Sequence, residues 1–258
     1  MFQSMPWVEF FSTYGTVLSA ILFGAFAARS TGVGFALVVV AALLALPNID
    51  QPTALFIAAP LSILNLSFIA VSLYRETPTS TLKDISPPLA AGFLVGFLIG
   101  LYVSKAIMLI LGLMVVFYTF ITMIRPPIRG KPNYMARSDV GGGLTGIMTG
   151  ALSFPGPPIS AFLLARGFIG NPVRVTIALV GLAGCCVRLL IGGYFSTPVQ
   201  GFSQIMLIGS ALIVIGSLAG SVTAKYMSDG LHRILIISMT FLAFGSLASG
   251  LIAELDAG

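Results

Sequence analysis

The chain's hydrophobic stretches are broken twice, in the same manner and at corresponding places. Residues 10–49 carry a single charge, Arg29, and are interrupted by Arg29-Ser30-Thr31-Gly32-Val33-Gly34. Residues 140–165 carry no charge and are interrupted by Ser153-Phe154-Pro155-Gly156-Pro157-Pro158. In lipid, backbone leaves the helix only where protein or a water-filled cavity covers it. Two matched breaks in the two halves of one chain therefore point to a transport site near the bilayer midplane.

Composition supports the lipid premise. The chain is 57% apolar and 8% charged, whereas a soluble domain carries about 25% charge. No aqueous surface can be built from such a chain, and an all-α integral membrane protein is expected. Continuous apolar runs mark 12–28 and 34–46 as a broken pair, followed by full spans at 53–73, 86–104 and 106–124. A second broken pair at 139–152 and 157–166 precedes spans at 172–193, 203–224 and 231–252. Each member of a broken pair is too short to cross about 30 Å of hydrocarbon at 1.5 Å per residue. The same order occurs twice, so two repeats are expected: 1–124 and 139–258, joined by a basic linker at 125–138. Gly96-x-x-x-Gly100-x-x-x-x-Lys105 recurs 120 residues later as Gly216-x-x-x-Gly220-x-x-x-x-Lys225, and the breaks align at an offset of about 123.

Loop charges set the orientation. The linker holds Arg125, Arg129, Lys131 and Arg137 and is expected in the cytoplasm by the positive-inside rule. Loop 74–85 then falls inside and loop 47–52 outside. If each broken pair is a re-entrant hairpin, Arg166, Arg174, Lys225 and Arg233 also lie inside; if each crosses once, all four move outside. The charge pattern favours hairpins. A hairpin plus three crossings is an odd count, so the repeats would be inverted, with both termini outside. The first residues lack a positively charged leader region, so the first hydrophobic segment is expected to stay in the protein.

The side chains exclude several functions. No Walker A motif, no H-E-x-x-H and no cluster of metal-ligating residues occurs. The eight acids all fall at span ends or in loops, where they cannot relay protons through the midplane. The single histidine, His232, is expected in a loop, and the adjacent Cys185 and Cys186 read as small packing residues. An enzyme, a cation pump and an ATP-driven carrier are disfavoured, and no metal or cofactor is expected. The scattered basic residues argue against nucleic acid as a partner.

The breaks suit an anion. Short helices starting near Val33 and Pro157 would present unpaired N–H groups and a positive dipole end. Gly32, Gly34 and Gly156 would let a ligand approach the backbone, and Ser30, Thr31 and Ser153 would add hydroxyl donors. The next helix in each half could line the same site, with Ser62 and Asn65 in the first and Gly181, Gly184 and Arg188 in the second. Arg29 and Arg188 could supply charge, although Arg188 could equally snorkel to the outer headgroups and Arg29 could be a plain stop-charge. The ladders Gly92-Gly96-Gly100, Gly142-Gly146-Gly150 and Gly216-Gly220 are small-xxx-small packing faces, within the chain or in a homo-oligomer.

With duplicated halves, a basic central loop and a Gly-rich break early in each half, the chain resembles the TauE/SafE sulfite exporters, also called the 4-toluene sulfonate uptake permease group. The family pattern is roughly G-x-G-G-G followed by an apolar run with proline. Here the breaks read Gly32-Val33-Gly34-Phe35-Ala36 and Gly150-Ala151-Leu152-Ser153-Phe154-Pro155-Gly156-Pro157-Pro158, and both depart from the triple glycine. The resemblance implies movement of a small sulfur-containing anion, such as sulfite or a sulfonate, across a bacterial inner membrane. The alternatives are an anion channel of the same architecture and a membrane assembly factor without transport activity.

Overall fold

The computed structural model describes residues 5–44, 46, 49, 51–102, 105–124, 134–152, 155–192 and 200–256. These form ten α-helices: α1 (Trp7–Thr31), α2 (Phe35–Leu44), α3 (Gln51–Leu73), α4 (Thr79–Tyr102), α5 (Lys105–Ile124), α6 (Ser138–Leu152), α7 (Gly156–Ala165), α8 (Asn171–Gly192), α9 (Phe202–Lys225) and α10 (Asp229–Asp256). A 3-10 turn, Tyr74–Glu76, extends α3, and no strand occurs among the described residues. Among the described residues, five helices (α1, α3, α4, α8 and α9) are long and apolar enough to cross a bilayer. The chain is thus a multi-pass membrane protein.

Three boundaries differ from the sequence expectation. The helix α1 is not a short piece: its 25 residues span about 37 Å. Arg29 does not end it, because other helices satisfy the guanidinium. Its Nε donates to Ser221 Oγ at 2.6 Å, and Nη1 reaches Ser72 Oγ at 2.5 Å and Phe68 O at 3.1 Å. The helix stops at Gly32, whose φ of 88° closes a left-handed cap with its N–H on Ala28 O. The helix α4 begins at Thr79, inside the expected loop 74–85. Thr81 and Ile85 are buried there while Lys83 and Asp84 face out, so a one-sided apolar pattern holds the turn helical. His232, expected in a loop, is buried in the first turn of α10 with its Nδ1 accepting the Gly170 N–H at 3.4 Å.

Both breaks fold back on their helices. Gly24 of α1 lies against Phe35 of α2, where an added Cβ would stand 3.3 Å from the Phe35 Cα, so α2 returns along α1. Arg166, just past α7, donates to Ala136 O at 2.9 Å and Ser138 Oγ at 2.8 Å. The α6–α7 pair therefore ends beside its own beginning.

The helices pack in cross-pairs: α4 on α6, α1 on α9, α3 on α8 and α5 on α10. Moving each helix five places along the chain turns the α4–α6 pair into α9–α1 and leaves the other two pairs as they are. Glycines set the closest approaches. Gly92 and Gly96 press against Gly143 and Ile147 of α6, while Gly216 and Gly220 press against Leu22 and Phe26 of α1. These ladders therefore pack within the chain. In the α3–α8 pair, Ser62 meets Cys185, Leu66 meets Gly181, and Glu76 just beyond α3 meets Asn171. Rising numbers on one side meet falling numbers on the other, so α3 and α8 run antiparallel.

Candidate functional site

A cavity of about 60 Å³ lies where the two short helices begin. The turn Gly32–Gly34 and the first turn of α2 form one wall, and Pro155, Gly156 and Pro157 form the opposite one. Ser62 and Leu66 of α3, Thr149 of α6, and Gly181, Gly184 and Cys185 of α8 close the sides. Ser62 and Gly181 are the middle residues of their helices, which puts the cavity near mid-depth when both helices span. Two residue pairs 123 apart in sequence face each other here. Ser62 lies against Cys185, and a Cβ on Gly156 would stand 2.8 Å from Val33 Cγ1.

The donors at the two helix ends are unequal. The first amide of α2 region with a backbone partner is Val38, bonded to Gly34 O. No hydrogen bond among the described residues engages the amides of Phe35, Ala36 and Leu37, and all three residues line the cavity. At α7, Pro157 and Pro158 have no N–H, and the Ile159 amide is already bonded to Pro155 O at 3.3 Å. Only the Gly156 amide is left there. The sequence expectation of unpaired N–H groups at both ends therefore holds for α2 and is cut to one donor at α7. Both helix ends still contribute positive dipole, and no acidic residue lines the cavity.

Of the residues expected to hold the anion, Gly32, Gly34 and Gly156 line this cavity. Ser30 and Thr31 belong to the last turn of α1, and their hydroxyls donate to Phe26 O and Ala27 O, each at 2.8 Å. Thr31 Oγ1 also accepts the Val33 N–H at 3.1 Å. It clamps the turn and offers no free donor to a ligand. Thr31→Val should therefore destabilise the protein by about 0.5–1.5 kcal/mol, visible as a lowered melting temperature in detergent. Arg29 and Asn65 are not brought to the cavity. Arg29 is held as described above, and Asn65 is buried with its Oδ1 accepting from Ser217 Oγ of α9 at 3.3 Å. Ser153 lies outside the described residues.

Arg188 does not line the cavity. Its Nη2 donates to Gly150 O at 2.6 Å, in the last turn of α6, where carbonyls lack helical partners and the dipole is negative. Arg188 thus caps the helix that ends at the second break. Arg188→Gln should cost about 1.5–3 kcal/mol, read as a drop in unfolding temperature. Unchanged unfolding would remove this capping role.

Thr149 and Cys185 were not expected at the site. The offset of 123 could have indicated Cys185, since it places that residue on Ser62. Thr149 carries no such signal, because its position depends on how α6 docks.

A family model described as "Sulfite exporter TauE/SafE" matches residues 17–247. No curated protein and no solved structure matches the chain.

Proposed function

This chain belongs to the TauE/SafE sulfite exporter family, and on that premise we propose that it exports a small sulfur-containing anion across a bacterial inner membrane. The observation that carries this reading is the convergence of two short helix N-termini, one from each half, on an acid-free cavity at the middle of α3 and α8. The three free amides of α2 and the Gly156 amide would donate to the ligand's oxygens, and the Ser62 hydroxyl would complete the shell. A water needs about 10–15 Å³ by this measure of space, so about 60 Å³ suits a ligand of about four heavy atoms. Sulfite has that size; a larger sulfonate would require the cavity to widen.

The antiparallel α3–α8 pair and the exchangeable helix pairs support reading the two halves as inverted repeats. Alternating access would then come from the halves exchanging their conformations around a fixed site. The residues 1–124 and 139–258 would be the moving units and 125–138 the link between them. The working complex is the protein, its lipid and a small anion.

The test is flux of labelled sulfite into proteoliposomes, with sulfonates and phosphate as competitors. The expected result is saturable, sulfite-competed flux. A ligand at 100 times its dissociation constant should also stabilise the detergent-purified protein by about 2.7 kcal/mol. Ser62→Ala should weaken sulfite binding by a factor of about three to ten. Flux that never saturates makes the protein a channel. Absence of both flux and thermal stabilisation overturns the reading.

A further inference from the structure

Beyond the cavity, we infer that the cleft where α1 and α9 end and α8 begins is a second oxyanion site, in which Arg29, Arg174 and Lys225 together hold an anion. The cleft measures about 360 Å³ and is lined by these three cations together with Asn171 and Ser221. Among the described residues, no carboxylate forms an ion pair with any of the three. The acid that acts on Arg174, Glu76, stands across Asn171, whose Nδ2 donates to its Oε1 at 2.7 Å, and offsets one of the three charges without an ion pair.

Arg174 is the decisive group. It is only 6% exposed, yet its Nε has no hydrogen-bond partner. Its Nη1 donates to Asn171 Oδ1 at 3.0 Å, which orients the guanidinium at the cleft wall. Burying a guanidinium with a donor unspent is costly, and an anion in the cleft would offset that cost through its charge. Arg29 is fixed in place by Ser221 and Ser72 and brings a second charge. Lys225, exposed at the end of α9, brings a third on a flexible stem. With one of these charges offset by Glu76, two remain without a counter-ion, which is unfavourable in one cleft.

The cleft is distinct from the cavity but joined to it by structure. Arg174 lies seven residues before Gly181 on α8, or about 10 Å along the helix. Between them stands the first break: a Cβ on Gly32 would fall 2.9 Å from the Arg174 Cα and 3.1 Å from Ile177 Cδ1. An oxyanion in the cleft would thus sit one step from the cavity, behind the Gly32 turn. Its source is either a free anion collecting there before or after transport, or the phosphate of a bound phospholipid.

The experiment uses the full chain in detergent, with radiolabelled sulfate as the probe and native mass spectrometry to count retained phospholipid. Lys225→Gln, an exposed change that spares the fold, should weaken sulfate binding at the cleft at least about tenfold. Arg174→Gln should do so more strongly, and Ser62→Ala should leave this binding component in place. If the source is lipid, the parent retains an anionic phospholipid that Lys225→Gln releases, and sulfate binds only after delipidation. If Lys225→Gln and Arg29→Gln bind sulfate and retain lipid as the parent does, the second site is wrong. Absence of both sulfite flux and thermal stabilisation by sulfite would overturn the transport reading and leave the cleft untouched, because cleft binding is measured with radiolabelled sulfate.

Discussion

Gly146→Val should leave little or no folded protein, whereas Gly143→Ala, on the same helix, should be tolerated. A Cβ at position 146 would fall against the carbonyl oxygen of Leu89 and 2.7 Å from the amide nitrogen of Phe93. Both contacts are backbone, so no side chain can swing aside and α4 must move off α6. This pair is the most extensive helix–helix contact among the described residues. Within a bilayer it is held by close packing, since lipid tails offer no hydrophobic penalty for separation. Overpacking costs about 1–3 kcal/mol, and more where the backbone must shift; valine adds three carbons where there is no room for one. By contrast, a Cβ at Gly143 meets nothing within 4 Å, and alanine gains up to about 1 kcal/mol of helix propensity over glycine. Size-exclusion profile and unfolding temperature in detergent would separate the two. A Gly146→Val protein that elutes and melts like the parent would show that α4 and α6 do not meet here.

The second large effect is expected from Gly32→Ala, which should suppress transport while sparing most of the fold. Gly32 adopts φ of +88°, and a left-handed conformation costs an L-residue about 1–2 kcal/mol. In addition, its Cβ would press on the Arg174 Cα at 2.9 Å, pushing the first break away from α8. The turn that carries the amides of Phe35, Ala36 and Leu37 would then shift relative to Ser62 and Gly156. The conformational cost alone lowers the folded-to-unfolded ratio about 5–30-fold, which leaves the protein largely folded, so the loss of transport is expected from the displaced turn. Gly167→Ala is the matched control: its φ is +83° but its Cβ meets nothing within 4 Å. Sulfite flux in proteoliposomes, normalised to folded protein, should fall for Gly32→Ala and stay near the parent for Gly167→Ala. Equal losses in both would mean that backbone strain matters and the contact with Arg174 does not.

The breaks were legible because Gly32-Val33-Gly34 and Pro155-Gly156-Pro157 resist helix in stretches that are otherwise free of charge. The three glycines that line the cavity came from that signal. The asymmetry of the donors was also written there, since Pro157 and Pro158 carry no N–H whatever the tertiary context. The length of α1 was not legible. A lone arginine in an apolar run reads as a helix end, and only Ser221, Ser72 and Phe68, far away in sequence, make it compatible with a continuing helix. The partner of Arg188 was not legible either. It is a carbonyl of α6, and no pattern around residue 188 encodes that meeting.

By itself, the sequence determined that this is a multi-pass helical membrane chain whose apolar stretches are interrupted at Gly32–Gly34 and Pro155–Pro157, and that its acids lie at the ends of those stretches. These are consequences of local chemistry: apolar runs long enough for lipid, residues that end helices, and the placement of charge. The tertiary structure alone decided which groups meet at the cavity, where each arginine spends its donors, and which glycines bring helices together. Those outcomes depend on how helices from opposite halves dock. A hydroxyl, an amide or a guanidinium in lipid takes whatever partner that docking supplies.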